Sequence, residues 1–490
     1  MHDMNRGSYV DLPERFFARV SPTPVEKPRL LEFNHTLADE LGLAHGDLDS
    51  ERLAAIFSGN AVPQGVDPIA MAYAGHQFGV FVPQLGDGRA ILLGEAQSGG
   101  GARRDIQLKG SGRTPYSRSG DGRAALGPVL REYIVSEAMH ALGIPATRAL
   151  AAVATGEPVF RTKALPGAIL TRVAASFVRV GTFQYFAARG DVEAVRLLAD
   201  YVIERHYPHV KSEQRPYLEL LRAVTGGQAS LIAGWMHVGF IHGVMNTDNM
   251  AVSGETIDFG PCAFMDAYDP AAVFSSIDLQ GRYAYGNQPH AAVWNLARFA
   301  ETLLPIIDPS ADRAVELASE VLATFAVRFS GHSLAAARRK LGLSTSEDGD
   351  AVLADDLLDA MHRNQADFTL TFRGLCDAAE REAADAGVRN LFANPQDFDE
   401  WASRWRTRLS RETLAAGRRA AAMRQINPAY IPRNHRIEQV IDAAVERDDF
   451  SPFAELSAVL AQPYQLQKGF ESYADPPRPG ERVLQTFCGT

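Results

Sequence analysis

One stretch of the sequence, residues 242–260, constrains the fold most because it places several oxygen donors around a short turn. It reads HGVMNTDNMAVSGETIDFG, and in it Asp248 stands beside Asn249. The residues that follow have the pattern of a hairpin, in which a Ser-Gly turn joins two short apolar runs and leads to Asp258. A hairpin brings its two ends together, so we expect Asn249 and Asp258 to lie side by side. Two such oxygen ligands suit a Mg²⁺ ion that carries substrate phosphates, and they leave Asp248 available to accept a proton.

Composition and charge exclude several classes of protein. The chain has 490 residues, of which 46% are hydrophobic and 22% charged, as in soluble globular proteins with more than one packed unit. Its net charge of −10 disfavours a nucleic-acid partner. The N-terminus lacks the apolar core of a signal peptide, and no apolar run approaches the roughly 20 residues of a membrane span. We therefore expect a cytoplasmic protein with no membrane partner, for which a monomer is the simplest assembly.

Two patterns between residues 70 and 110 suit the binding of phosphate groups. A turn that contains Gly86, Gly88 and Arg89 precedes a predicted strand, and its N–H groups and arginine favour contact with a phosphate. A plain hairpin turn is the simpler alternative. Lys109 ends a strand of alternating polar and apolar residues, although most strand lysines simply point to solvent.

Further candidates for anion binding lie downstream. A glycine- and arginine-rich loop includes Asp121 and Gly122, and such a loop either folds over anionic groups or is merely solvated. Arg172 and Arg179 occur in a mostly apolar context, where a buried arginine needs an anionic partner. A protein carboxylate and a nucleotide phosphate both satisfy that need.

Helices are predicted over 28–41 and 127–143, each ended by a glycine. The second helix carries Glu132 and Glu137, either of which is a candidate partner for Lys109. By helical angle Glu137 lies nearer the apolar stripe and Glu132 roughly opposite, which favours Glu137 without settling the choice.

The order of these motifs resembles a protein-kinase-like fold, and their details resemble the selenoprotein O family of kinase-like proteins. The matching stretches are residues 75–79, 85–89, 108–118, 120–123, 171–183, 242–250, 258–261 and 427–435. The resemblance implies an α+β, two-lobed fold with a small β-rich N-lobe, a helical C-lobe and additional C-terminal helices. The implied regions are a peripheral segment at 1–69, the N-lobe at 70–165, the C-lobe at 166–310, and a helical region with a tail at 311–490.

One departure from ordinary kinases concerns the catalytic base. In kinases an aspartate stands two residues after the catalytic-loop histidine, and here that position is Val244, which cannot accept a proton. Loss of a general base typically costs about 10²–10⁴-fold in rate. The chain is therefore either an inactive scaffold or an enzyme with altered chemistry and another base.

What the resemblance implies is altered chemistry. Members of the selenoprotein O family are described as protein adenylyltransferases that bind ATP flipped relative to kinases. The resemblance thus implies transfer of AMP from ATP to Ser, Thr or Tyr hydroxyls of proteins, with release of pyrophosphate and with Mg²⁺ or Mn²⁺ as the metal. It assigns Asp248 as the catalytic base, and Asn249 and Asp258 as metal ligands. The nucleotide-binding residues that it assigns are Gly86, Gly88, Arg89, Lys109, Asp121, Gly122, Glu132, Arg172, Arg179 and Asp258.

Two other functions are compatible with the motifs. One is a kinase of protein or small-molecule hydroxyls in which Asp248 replaces the missing base, and Val244 counts against it. The other is an inactive ATP-binding pseudokinase scaffold, and the retained pair Asn249 and Asp258 counts against that.

The three cysteines are too few for a disulfide framework and lack zinc-site spacing. Cys488 falls where animal relatives of the family carry selenocysteine, and Cys262 follows the Asp-Phe-Gly triplet. We hypothesise a redox clamp between them that restrains the adjoining loop or the tail, with two independent thiols as the alternative.

Overall fold

The structure, a computed structural model, describes residues 4–487 and divides into a β-rich N-terminal half and a helical C-terminal half. An antiparallel sheet dominates the first half, and most of the helices follow it in the chain. The α+β, kinase-like architecture implied by the motifs is therefore confirmed.

The strands form one large sheet and two small ones. They are β1 (Phe17–Arg19), β2 (Arg29–Phe33), β3 (Ile69–Met71), β4 (Gly75–Gln77), β5 (Val80–Val82), β6 (Ala90–Gln97), β7 (Arg103–Lys109), β8 (Ala124–Ala125), β9 (Arg148–Phe160), β10 (Ala164–Ala174), β11 (Phe240–Ile241) and β12 (Ala263–Phe264). The large sheet has the order β1-β3-β6-β7-β10-β9-β2, and β8 also pairs with β10. The pairs β4–β5 and β11–β12 are separate two-stranded sheets.

Alternation along the central strands decides which side chains face the candidate site. In the antiparallel pairing of β7 with β10, Lys109 lies opposite Leu170, and Arg172 lies opposite Gln107. Because successive side chains point to opposite faces, Lys109 and Arg172 share one face, while Ile106 packs in the core on the other. Two strands separated in sequence thus contribute cations to the same surface.

Helices cover both faces of the sheet and form the C-terminal half. They are α1 (His35–Glu40), α2 (Ser50–Phe57), α3 (Leu126–Ala141), α4 (Val180–Ala187), α5 (Val192–His206), α6 (Pro216–Val238), α7 (Gln288–Ile307), α8 (Ala311–Lys340), α9 (Asp350–Asn364), α10 (Phe368–Ala378), α11 (Asp385–Arg389), α12 (Pro395–Leu409), α13 (Ala416–Arg424), α14 (Asn434–Arg447) and α15 (Ser451–Leu460). Helix α3 packs on β9 and β10, and α14 and α15 pack on α3. Within residues 4–487, none of the helices combines the length and apolar character needed to cross a membrane.

The predicted helix over 28–41 is wrong in its first half. Residues 29–33 form β2, which pairs with β9 at the edge of the large sheet, and only residues 35–40 are helical. The helix begins after Asn34, whose side chain accepts a hydrogen bond from the backbone N–H of Leu37. Pairing along a neighbouring strand outweighed local helix propensity.

How the chain divides into domains stays a prediction. The described part of segment 1–69 nevertheless supplies β1 and β2, the two edge strands of the large sheet. It also supplies α1 and α2, whose apolar side chains join the core on one face of that sheet.

Candidate active site

A cavity of about 730 Å³ is bordered by the central strands and by the segment that contains the hairpin. The predicted site residues that line it are Gly86, Gly88, Arg89, Lys109, Asp121, Gly122, Arg172, Arg179, Asp248, Asn249 and Asp258. The remaining one, Glu132, lies behind the cavity and contacts Lys109. The structure therefore brings together residues that are up to 172 positions apart in the chain, from Gly86 to Asp258.

The predicted hairpin exists as a tight turn with one antiparallel bridge, between Met250 and Thr256. Its first arm also bridges Arg179, through Ala251, and its second arm bridges Ala146. These contacts fix the hairpin to the segment that follows β10 and to the turn after α3.

At one end of the cavity three cations surround Asp258. Arg172 Nη1 lies 2.9 Å and Lys109 Nζ lies 3.3 Å from its Oδ1, and Arg179 Nη1 lies 3.0 Å from its Oδ2. Burial acts to raise the pKa of this carboxyl, but Arg172, Arg179 and Lys109 together hold that pKa well below its usual range. Two further carboxylates, described below, also lie within 4 Å of these cations, so the cluster pairs three cations with three carboxylates.

Lys109 pairs with Glu132 rather than with Glu137. Its Nζ lies 2.6 Å from Glu132 Oε2, and both side chains are buried. Glu137 instead accepts hydrogen bonds from both Arg148 Nε and Nη2, each at 2.8 Å. The helical-angle preference for Glu137 is therefore wrong, because the side chain of Glu137 binds Arg148 at the start of β9. The glutamate that contacts Lys109 is Glu132, the one that the family resemblance assigned.

Asp248 is buried with few side-chain partners, and Arg179 Nη1, which contacts Asp258, also donates to the backbone carbonyl oxygen of Asp248 at 2.9 Å. Its Oδ2 accepts a hydrogen bond from Gln77 Nε2 at 3.3 Å, and its Oδ1 is buried with no partner. Burial raises the pKa of Asp248 to about 6, against the opposing influence of Arg179. A carboxylate with that pKa is mostly ionised at neutral pH and is a competent proton acceptor.

The strand β4 approaches Asp248 closely because residue 75 is a glycine. A Cβ at Gly75 would lie 2.3 Å from Asp248 Oδ1. On the same strand, His76 donates its backbone N–H to Thr247 Oγ1, and beyond it Phe78 donates its own to Asn246 Oδ1. The segment Gly75–Phe78 therefore fixes the catalytic loop from one side.

His242 and Val244 have structural roles in this loop. His242 Nε2 donates to the carbonyl oxygen of Ile257, and its Nδ1 accepts from the backbone N–H of Val244. Burial lowers the pKa of His242, which agrees with a neutral imidazole in this arrangement. The side chain of Val244 lines the cavity but supplies no proton acceptor.

The glycine turn is shaped by an aromatic side chain. Gly86 has φ of +70°, and a Cβ there would lie 2.3 Å from Tyr116 Cγ. Across the cavity mouth, Asp121 Oδ2 lies 2.8 Å from Arg161 Nη1. The second interaction orders part of the glycine- and arginine-rich loop.

The lining residues that were not among the predicted candidates include Tyr73, Gln77, Asp87 and Arg161. Asp87 is buried, its pKa is raised to about 6 by burial, and its Oδ1 lies 3.9 Å from Arg179 Nη2. The Tyr73 ring lies under the Arg179 guanidinium at 4.6 Å. A signal for Asp87 was its place between Gly86 and Gly88, whereas the pairing of Tyr73 with Arg179 depends on tertiary structure.

The residues present fit a divalent metal bound together with phosphates. Within residues 4–487 no group of three or more His, Cys, Asp and Glu side chains forms a metal cluster. Mg²⁺ is usually held by one or two protein oxygens while substrate phosphates and water complete its shell. Asn249 donates its Nδ2 to the Val244 carbonyl, and its Oδ1 and the carboxylate of Asp258 are the proposed oxygen ligands among the residues that line the cavity.

The described end of the tail lies against the loop after the Asp-Phe-Gly triplet. Thr486 donates its Oγ1 to the carbonyl oxygen of Pro261 at 2.5 Å and its N–H to that of Phe274 at 2.7 Å. Cys262 is buried, whereas Cys488 lies outside the described residues. The redox clamp between the two cysteines therefore stays a prediction.

Comparison with known proteins gives concordant matches along the chain. The family model described as Protein adenylyltransferase SelO matches residues 4–461. The chain is 64% identical over 483 residues to a Protein nucleotidyltransferase YdiU of Rhizobium meliloti strain 1021, covering 99% of this chain and 98% of that protein. It is also 64% identical over 490 residues to a protein of the same name from Bradyrhizobium sp. strain BTAi1, covering 100% of both. The resemblance indicated by the motifs is therefore confirmed, and so is the prediction of a nucleotidyltransferase.

Proposed function

The chain belongs to the SelO family of protein adenylyltransferases, and we propose that its cavity transfers AMP from ATP to Ser, Thr or Tyr hydroxyls of other proteins. The observation that carries the proposal is a division of roles between two carboxylates of the cavity: Asp258 is surrounded by cations, and Asp248 has a raised pKa that suits it to accept a proton. Such a division fits a reaction that moves a phosphoryl group from a polyphosphate to a hydroxyl.

The transfer is an in-line displacement at the α-phosphorus. The acceptor hydroxyl oxygen forms a bond to that phosphorus, the bond from the α-phosphorus to the bridging oxygen breaks, and pyrophosphate leaves. Asp248 takes the proton of the hydroxyl, for which its partnerless Oδ1 and its raised pKa suit it. Gln77 orients the carboxylate by donating to Oδ2.

The cations hold the phosphates that must stay fixed while the bond breaks. Lys109, Arg172 and Arg179 lie on one face at the buried end of the cavity. With the triphosphate turned inward, relative to a kinase, the α-phosphorus would be nearer the acceptor than the γ-phosphorus. Fixed cations of this kind stabilise the charge that develops on leaving pyrophosphate.

The glycine turn and the loop around Asp121 would hold the remainder of the nucleotide. Gly86 and Gly88 permit close backbone approach, and Arg89 and Gly122 line the same wall. Asn249 and Asp258 would hold Mg²⁺ or Mn²⁺, which when bound neutralises phosphate charge. Glu132 keeps Lys109 in place for this task.

A kinase of hydroxyl groups is the second candidate, because Asp248 would serve equally as the base for γ-phosphoryl transfer. Supplying ATP labelled on either the α- or the γ-phosphate, with Mg²⁺ or Mn²⁺ and mixed cell protein, separates the candidates. The proposal predicts label on protein from α-labelled ATP only. Label from γ-labelled ATP alone would establish a kinase, and no label from either would indicate an ATP-binding scaffold.

The place of action and the assembly complete the proposal. We propose that the protein acts in the cytoplasm as a monomer, on protein acceptors and without nucleic-acid or membrane partners. The acidic net charge of −10 supports the exclusion of nucleic acid.

A further inference from the structure

Among the described residues, the aromatic side chains that line the active-site cavity are Tyr73, Phe78, Tyr116 and Phe160. Three of these rings already pack against the protein, in the pairs Tyr73–Arg179, Phe78–Tyr283 and Tyr116–Gly86. Phe160 differs from them, because it is 71% exposed and no aromatic ring within residues 4–487 packs on it. The cavity lining therefore includes one large apolar ring that is mostly uncovered.

The register of the large sheet places Phe160 on the same face as the cations around Asp258. Phe160 lies opposite Ala164 in the antiparallel pairing of β9 with β10, and directly opposed residues share a face. Ala164 and Arg172 are eight residues apart on β10, and an even separation puts both on one face. Where the pairing is irregular the extra residues belong to β9, so the alternation along β10 is unbroken. Phe160 and Arg172 therefore stand on one face, toward opposite ends of β10.

The tip of the β9–β10 hairpin, which carries Phe160, is fixed to the glycine- and arginine-rich loop. Arg161 Nη1 donates to the carbonyl oxygen of Phe160 and to Asp121 Oδ2, each at 2.8 Å. Its Nη2 donates to Asp121 Oδ1 at 3.2 Å and to the carbonyl oxygen of Arg123 at 3.0 Å. One guanidinium group thus joins the tip to the loop, so the backbone position of Phe160 is set before a ligand binds.

We propose that Phe160 is the platform on which the base of the bound nucleotide stacks. The inference rests on the proposal that this cavity binds ATP with its triphosphate at Lys109, Arg172 and Arg179. That placement directs the base away from the cations, and Phe160 stands at the other end of β10 from Arg172. An exposed phenyl ring suits this task, because every base has a π-face that stacks on an aromatic ring without a hydrogen bond.

A contact with the acceptor protein is the alternative use of an exposed apolar ring at a cavity. The hydrogen bonds of the hairpin tip favour the nucleotide, because they lead to Asp121 and Arg123. Asp248, toward which the acceptor hydroxyl must point, is contacted instead by Gln77 of β4. The tip is therefore bound to the loop that the family resemblance assigns to the nucleotide, and not to the contacts of Asp248.

The test compares ATP with inorganic triphosphate, which has no base, as ligands of the full chain. Affinities are measured by calorimetry with Mg²⁺ present, for the unaltered chain and for Phe160→Ala. The variant should bind ATP about tenfold more weakly, as expected for the loss of one stacking contact. It should bind triphosphate as the unaltered chain does.

Two further variants separate stacking from a general loss of binding. Phe160→Trp should keep the affinity for ATP, and the fluorescence of the added indole should fall when ATP is bound but not when triphosphate is bound. Phe487→Ala is the matched control, because Phe487 is also an exposed phenylalanine, at 66%, and lies in the tail. It should leave both affinities unchanged.

The possible failures have different meanings. An unchanged affinity of Phe160→Ala for ATP would overturn the inference and leave the proposed function standing, since transfer of α-label tests that function separately. An equal loss for ATP and for triphosphate would also overturn the inference. A raised KM for the protein acceptor with unchanged ATP affinity would assign Phe160 to the acceptor instead. An unaltered chain that binds neither ligand would contradict the proposed function and the inference together.

Discussion

The active-site cavity holds two carboxylates of the same hairpin segment in different electrostatic surroundings. Asp258 contacts Lys109, Arg172 and Arg179, and these cations keep its pKa well below the usual range. Asp248 has one side-chain hydrogen bond, to Gln77, and burial raises its pKa to about 6. The pKa values of two aspartates in one hairpin segment are thus shifted in opposite directions by their different surroundings.

This difference separates the roles that a transferase site needs. A carboxylate that stays ionised among cations suits phosphate and metal binding, whereas a buried one with a raised pKa suits proton transfer. In a protein kinase the base would stand at the position of Val244. The proposed assignment moves the base along the loop to Asp248 and keeps the kinase spacing of the proposed metal ligands Asn249 and Asp258.

Removal of the Asp258 carboxylate should reduce the transfer rate most. We expect Asp258→Ala to abolish transfer of α-label, because it removes a proposed metal ligand and leaves Lys109, Arg172 and Arg179 without their shared partner. Breaking a buried ion-pair cluster in this way costs about 3–5 kcal/mol of stability, so the loss must be measured well below the variant's melting temperature. Full activity in the folded variant would refute the assignment of Asp258 as a metal ligand.

Removal of the proposed base, Asp248, should have the next largest effect on the transfer rate and should not lower the stability. Asp248→Asn should lower the transfer rate by about 10²–10⁴-fold, as expected for a general base. Its melting temperature should be unchanged or higher, since the substitution neutralises a buried carboxylate whose Oδ1 has no partner. Rates within a factor of about two of the unaltered chain would assign proton transfer to another group.

Substitution of either glutamate on α3 should have a smaller effect on the transfer rate than the loss of either aspartate. Glu132→Gln should slow transfer by about 10–100-fold, by analogy with residues that orient metal ligands, because it loosens Lys109. Glu137→Gln should leave the rate unchanged and lower stability by about 1–3 kcal/mol, since its partners are Arg148 and the backbone of Ala149. Equal kinetic effects of the two substitutions, measured under saturating ATP, would contradict the observed pairing.

Part of the proposed metal site could be predicted from the sequence, because the hairpin between Asn249 and Asp258 is a local feature of the chain. The spacing from His242 to Asp258 predicts a hairpin, which the structure contains, whereas the shared face of Lys109 and Arg172 follows from the pairing of β7 with β10, two strands far apart in the chain. The partner of Lys109 depended instead on how α3 packs against the sheet, and the helical angle pointed to the wrong glutamate.

Other features depend on contacts between distant segments. Gln77 reaches Asp248 only because β4 packs against the catalytic loop, and Asp87 becomes buried only beneath Arg179. The strand at 29–33 was predicted as helix because its pairing partner, β9, follows more than 100 residues later. Local propensity carries no information about such partners.

The affinity for ATP, measured by calorimetry with and without Mg²⁺ for Asp248→Asn and Asp258→Asn side by side, tests the division of the cavity most directly. We predict that Asp248→Asn binds ATP as the unaltered chain does, with the same gain in affinity when Mg²⁺ is added. For Asp258→Asn we predict that this metal-dependent gain disappears. A loss of the gain in Asp248→Asn, or its retention in Asp258→Asn, would contradict the assignment of the metal end to Asp258 and the proton-accepting end to Asp248.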